Sequence, residues 1–170
     1  MERVFPNSHV LVANLNHYKD LPGGAGRLAW DEAHYLARNG HRVTMLAAAT
    51  SPDQPEMEQE GDLCLLRYKV PHLNPADPRR ASAHQRAARA VLRKYIDAPV
   101  HIIHGHVPLT YLAACDVFEQ QARTVYTLHS PSSMEMEIEW AGKVSGAISG
   151  GEWACPCSSA WNVAVWSGLL

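Results

Sequence analysis

The stretch "PGGAGRLAWDEAHYLARNGHRVTMLA", Pro22–Ala47, runs from a glycine-rich turn through a helical pattern into a strand. Ala29, Ala33, Leu36 and Ala37 fall at i, i+4, i+7 and i+8, which makes one apolar stripe on a helix starting near Gly26. That start puts Asp31 and Glu32 in the first turns, where the helix dipole favours acids. Arg38 closes the last turn and Gly40 sits where a C′ residue belongs. "RVTMLAAA", Arg42–Ala49, then reads as a strand. The glycines pose a question, because each costs about 0.5–1 kcal/mol relative to Ala in ordinary structure. Either a sharp turn needs them or something approaches the backbone closely.

Upstream, "HVLVANL" (His9–Leu15) is nearly all apolar, as in a strand buried on both faces. Downstream, Ser51–Asp62 is rich in Pro and acids and reads as a surface loop. Strands follow at Leu63–Val70, Val100–His106 and Arg123–Ser130, with helices at Arg80–Ile96 and Leu109–Gln121. In the first of these helices His84 interrupts a stripe of Ala88, Val91, Leu92 and Tyr95. Strands alternating with helices imply right-handed crossovers, hence an α/β fold: a three-layer, Rossmann-like, doubly wound parallel sheet. Ligands of such sheets bind beyond the carboxyl ends of the strands. Three turns should therefore share one rim: Gly23–Gly26, His104–His106 and His129–Ser130.

The chain has 170 residues, 46% of them hydrophobic, which suits one domain with a real core. Its net charge of −2 gives no field that draws it to nucleic acid or acidic lipid. No apolar run approaches the ~20 residues of a membrane span. "MERVFPNSHVLVANL" makes a poor signal peptide, and four scattered Cys suggest no disulfide framework. The expected compartment is the cytoplasm.

Gly24–Ala29 fits G-x-G-x-x-[GA], the dinucleotide fingerprint. A long loop separates it from the first strand, however, and no acid ends the second strand to hold a ribose, so a nicotinamide enzyme is disfavoured. No Gly-Lys-Ser/Thr exists for a Walker A loop. What remains is a glycine turn opening a helix, whose free N–H groups and dipole suit an anion such as a phosphate; the plain alternative is a flexible turn. His101, His104 and His106 raise a metal, but no nearby Cys or acid completes a ligand set, so none is expected. Cys155-Pro156-Cys157 is not a C-x-x-C pair. Arg79, Arg86, Arg89 and Arg93 share one side of a helix, either a solvated face or a surface for an anionic acceptor or a membrane. Glu135, Glu137 and Glu139 read as exposed.

Three segments carry a family resemblance. Pro22–Ala47 resembles the opening of family 4 glycosyltransferases of the GT-B fold, a Gly-Gly loop, a helix and "L-x-x-x-G-H-x-V-T". "HIIHGHVPLTYLAA" resembles their "D-h-h-H-x-H-x-P" segment (h, apolar), with His101 where an acid is common. "TVYTLHSP" resembles their "V-h-T-h-H" strand end. The resemblance implies an acceptor-side N-terminal domain, one half of a GT-B fold, of a retaining enzyme that moves a sugar from a nucleotide-sugar donor to an acceptor. It also implies that Gly23, Gly24, Ala25 and Gly26 face the donor diphosphate. His129 would contact the reacting sugar, with Ser130 beside it. His106 and Asn16 would line the cleft, with His104 a strand-end packing residue.

The donor half of such enzymes carries an E-x7-E motif, and no Glu here has another eight places on. The expectation is therefore a Rossmann-like domain over residues 1–150 and an atypical Trp-, Cys- and Ser-rich tail over 151–170, truncated or frameshifted. Such a chain should be inactive without a donor-binding domain or partner subunit, and should self-associate through the exposed interdomain face or the tail. No cofactor or metal is expected, no nucleic acid, and at most peripheral membrane contact. The rival readings are a non-catalytic acceptor-binding or scaffold subunit and half of a GT-B sugar-nucleotide epimerase.

Overall fold

The computed structural model describes residues 7–70, 77, 79–118 and 120–129. Its elements run β1 (His9–Ala13), α1 (Gly24–Arg38), β2 (Arg42–Ala48), β3 (Met57–Glu60), β4 (Leu63–Tyr68), α2 (Arg80–Tyr95), β5 (Ile102–Gly105), α3 (Pro108–Phe118) and β6 (Arg123–Tyr126). They form a six-stranded sheet ordered β3-β4-β2-β1-β5-β6. Every pairing is parallel except β3 with β4. The Rossmann-like α/β arrangement expected from the alternating pattern is present.

The strand pleat sorts the core into two layers. Val10, Val12, Val43, Met45, Leu63 and Leu65 face α1, where they meet Ala29, Ala33 and Ala37. Leu11, Leu46, Leu66 and Ile103 point the other way, against Ala88, Val91 and Leu92 of α2 and Ala113, Ala114 and Phe118 of α3. Alanines on α1 leave no side-chain bulk between helix and sheet, so the helix backbone lies close to the strands. β1 is buried throughout because it has a neighbour on each side and a helix layer on each face.

The end of α1 follows the sequence expectation. Gly40 has φ 85°, His41 N–H bonds to Leu36 O at 3.2 Å and Gly40 N–H bonds to Ala37 O at 2.9 Å, a Schellman closure. The start does not. The helix begins at Gly24 rather than Gly26, so Asp31 and Glu32 lie beyond the first turn, which holds no acid. Asp31 pairs instead with Arg27, four residues back, at 2.7 Å. His84, which interrupts the α2 stripe, lies 3.2 Å from the buried Tyr68 hydroxyl. Burial lowers the His84 pKa and raises that of Tyr68, so the phenol donates to His84 Nδ1.

The Ser51–Asp62 stretch is not all loop. Met57–Glu60 turns through Gly61 and Asp62 and pairs antiparallel with β4. Its polar sequence hides the strand, and a short, charged strand is what blunts a sheet edge.

Gly105 ends β5 against α3. A Cβ there would lie 2.4 Å from Tyr111 Cδ2 and 2.6 Å from its Cβ. Gly105→Ala should therefore cost about 1–3 kcal/mol in denaturant unfolding, through forced displacement of Tyr111.

Candidate functional site

The chain visits β2 and β4 on one side of β1 and then crosses to β5 on the other. The order reverses between β1 and β5, and the crevice beyond their carboxyl ends is where an open α/β sheet takes its ligand. Asn14 leaves β1 at this point, and His106 leaves β5 beside it, its N–H bonded to Ala13 O at 2.9 Å.

Side chains of β5, α1 and the segment after β6 meet here. His104 faces the α1 side of the sheet, and its Nδ1 is in direct hydrogen-bonding contact with Glu32 Oε1. The other His104 nitrogen, Nε2, is 2.7 Å from Thr127 Oγ1. Glu32 Oε2 lies 3.1 Å from Nε2 of His106, within ion-pair distance but without hydrogen-bond geometry. Nδ1 of His106 lies 2.9 Å from Nε2 of His129. The rings of His106 and His129 stack at 5.2 Å and 23°. His106 is 3% exposed, whereas His129 sits at the surface. Burial alone would raise the Glu32 pKa, but its contacts with His104 and His106 hold it down at about 2.

Glu32, His104 and His106 together have the donor types of a metal site, with their ligand atoms within 4.8 Å of one another. The acid that the sequence reading found missing comes from α1, 72 residues before His104.

The glycine turn lies at the other end of the same helical face. Arg27 is the first α1 residue whose N–H finds a helical acceptor, Gly23 O at 2.8 Å, so the amides of Gly24, Ala25 and Gly26 precede the ladder. Gly23 is extended (φ 179°), and a Cβ on Gly23 or Gly24 would meet nothing within 4 Å. Among the described residues, neither backbone strain nor packing requires glycine at these two positions. Gly26 differs: it is buried, and a Cβ there would lie 3.3 Å from Asn16 O. Asn16 O also accepts from Asn14 Nδ2 at 2.7 Å, which fixes the carbonyl that a Cβ on Gly26 would meet.

A second polar cluster fixes the loop before the turn. Arg67, buried on β4, donates to both Asp20 oxygens at 2.6 and 3.1 Å and to Glu58 of β3 at 2.5 Å. Glu60 contacts the buried His17 at 3.1 Å and pairs with Lys19. The hairpin that sequence reading missed thus anchors residues 17–20. Trp30 and Tyr18 add ring contacts, with the Arg27 guanidinium 4.9 Å from the Tyr18 ring centre.

His106 and His129 are brought together as the shared rim requires. His104 is not a mere packing residue, since both its nitrogens are bonded. Glu32 was read only as a helix-dipole acid; its place beside the Ala29–Ala33 stripe was the available signal. Ser130, Glu135, Glu137, Glu139, Cys155, Cys157, the boundary at 150 and the 151–170 tail lie outside the described residues. Arg86, Arg89 and Arg93 of α2 line a cavity of about 490 Å³ with Asp116 of α3, which pairs with Arg89 at 2.5 Å. No helix among the described residues is long and apolar enough to cross a membrane.

The protein-family model described as Glycosyltransferase Family 4 matches residues 22–152. The chain belongs to glycosyltransferase family 4. Its fold is similar to that of sucrose-phosphate synthase from Thermosynechococcus elongatus, with a TM-score of 0.59 and 17% identity over 77% of this chain and 35% of that one. A second, twinned structure of that synthase gives a TM-score of 0.49 and 19% identity over 79% of this chain and 70% of that one. At these identities the likeness is one of fold. The chain spans about a third of the first synthase chain. No curated protein sequence matches. The family assignment agrees with the resemblance seen in the sequence, and the family match opens at Pro22, at the glycine turn itself.

Two measurements follow from the electrostatics. The Glu32 pKa is depressed from 4.5 to about 2, so its contacts with the two histidines stabilise the fold above pH 4.5 and are lost as pH falls toward 2. Glu32→Gln should remove up to about 3 kcal/mol at neutral pH and flatten the acid limb of a pH–stability curve over that window. Asp20→Ala breaks one side of the Arg67 cluster while Glu58 remains. It should cost about 3 kcal/mol and lower amide-exchange protection at residues 17–21.

Proposed function

We propose that this family 4 domain is the acceptor-side half of a retaining transferase that moves a sugar from a nucleotide-sugar donor to an acceptor. The donor-binding half would be a separate domain or subunit. The observation that carries this reading is the pairing, on one helix, of an unencumbered glycine turn with the carboxylate that meets His104 and His106, the latter bonded to His129. Gly24 and Glu32 are eight residues apart, about 12 Å along the axis, the scale of a sugar diphosphate.

In this reading Gly23, Gly24, Ala25 and Gly26 lie toward the donor diphosphate. As the glycosidic bond breaks, the departing nucleoside diphosphate gains negative charge. Free amides and the positive end of the α1 dipole stabilise that charge more in the transition state than in the ground state. Side chains at 23 and 24 would hold the phosphate off the backbone, which gives those glycines a reason that the chain's own packing does not. His129 contacts a hydroxyl of the transferred sugar near the reacting carbon. His106 stands behind it in the cleft wall, and Ser130 beside it. No metal or cofactor enters the scheme. Leu128 and Val125 are 66% and 49% exposed, apolar surface through which copies would self-associate.

Titration of the 15N-labelled chain with UDP and with inorganic pyrophosphate tests the site. Amide shifts should cluster at Gly23–Gly26, with UDP or a UDP-sugar also moving the His129 ring. Shifts confined to Arg86–Arg93 would overturn the assignment. Incubation with nucleotide-sugars and acceptors should give no transfer by this chain alone; transfer without a partner would sink the half-enzyme reading.

A further inference from the structure

Glu32 meets two imidazoles at once, Nδ1 of His104 through Oε1 and Nε2 of His106 through Oε2 at 3.1 Å. The two rings lie side by side, 4.5 Å between centres and 31° apart in plane, because the residues are two apart at the end of β5. The His106 side chain is 1% exposed, and its Nε2 has no hydrogen-bond partner among the described residues. Such a buried nitrogen calls for an explanation, and an unseen ion is one of the few available. Two ligands of one ion point at the ion rather than at each other, so a nitrogen can sit 3.1 Å from an oxygen without bonding it. Bonds of about 2.0–2.2 Å in a tetrahedral site separate neighbouring donors by roughly 3.3 Å. Among the described residues, Glu32, His104 and His106 alone bring three His, Cys, Asp or Glu donor atoms within 4.8 Å of one another. His17 and His34 beside Glu60 do not form such a set.

We propose that Glu32, His104 and His106 are three ligands of a divalent transition-metal ion of the zinc class, which clamps α1 to the end of β5. Two imidazoles and one carboxylate suit zinc and its neighbours, which accept nitrogen, rather than magnesium or calcium, which take oxygen. Coordination through Nδ1 leaves the His104 ring proton on Nε2, which donates to Thr127 Oγ1 at 2.7 Å. Coordination through Nε2 leaves the His106 ring proton on Nδ1, 2.9 Å from Nε2 of His129. Both outer nitrogens thus have the kind of partner that orients metal-bound histidines. The ion takes the place of the proton between Glu32 and His104 and joins residues 72 apart by coordinate bonds. The Glu32 and His104 side chains are 23% and 17% exposed, which gives an ion a way in and leaves water the fourth position. The ion has no part in the transfer scheme above; it fixes the helix that carries the glycine turn.

Zinc titration of the folded chain against a chromophoric chelator should show one equivalent bound. Long-range 1H–15N imidazole spectra should then shift at His104 Nδ1 and His106 Nε2. Cobalt(II) should bind in place of zinc with the visible bands of a four-coordinate nitrogen and oxygen site, and magnesium should not compete. Glu32→Gln, checked for folding by circular dichroism, should bind zinc roughly 100-fold more weakly or worse, and Thr127→Val, which removes only an outer bond, roughly 10-fold. No uptake by the wild-type chain would overturn the site without any variant. So would imidazole shifts confined to other histidines, or sulfur-to-cobalt charge-transfer bands, which put the ion on cysteine. Unchanged affinity in a folded Glu32→Gln chain would do the same. No nucleotide enters any arm, so metal uptake succeeds or fails apart from the transferase reading.

Discussion

Glu32 ties the helix that opens at the glycine turn to the strand that ends in the histidines. α1 is already drawn to the sheet by its alanine stripe, but apolar contact is non-directional and leaves a helix free to slide or roll by small amounts. A carboxylate bonded to His104 and paired with His106 removes that freedom, because its partners sit on β5 at fixed register with β1. On the opposite flank, Arg67 and Glu60 hold the loop leading into α1 through Asp20 and His17. The turn at Gly23–Gly26 is thus located from both sides by polar contacts with angular demands.

Polar and apolar work are separated along the strands. The middle of the sheet is Val, Leu, Met and Ile on both faces, and it supplies the cohesion. Much of the buried polarity, Asn14, His17, Arg67 and His106, collects toward the strand ends. Burying charge there contributes little net stability, since desolvation offsets most of the attraction. Apolar replacements of similar volume would give a comparably stable domain, so these groups are better explained by positioning than by stability. The orphaned Oδ1 of Asn14 and the bent approach of His106 to Glu32 belong to the same region.

The sequence by itself determined the class of fold and the family. Period-two and period-3.6 patterns over continuous segments located β1, β2, β4, β5 and α1 to α3 within a few residues, because burial on a strand or helix face is a local property of spacing. Gly40 was legible for the same reason: a left-handed residue after a helix is a local demand. The motifs also named His106 and His129 as neighbours on one rim. β3 was not legible, since a polar edge strand is made by its partner rather than by its own pattern.

Only the tertiary structure decided what these residues do to one another. That Glu32 completes a cluster with His104 and His106 depends on how α1 rolls against β5, which no spacing within either segment records. The same holds for Gly26, which serves packing against Asn16 while Gly23 and Gly24 stand clear, although the three look alike in sequence. Hydrogen bonds between residues far apart in the chain are set by packing, and packing is settled only when both faces of the sheet are covered.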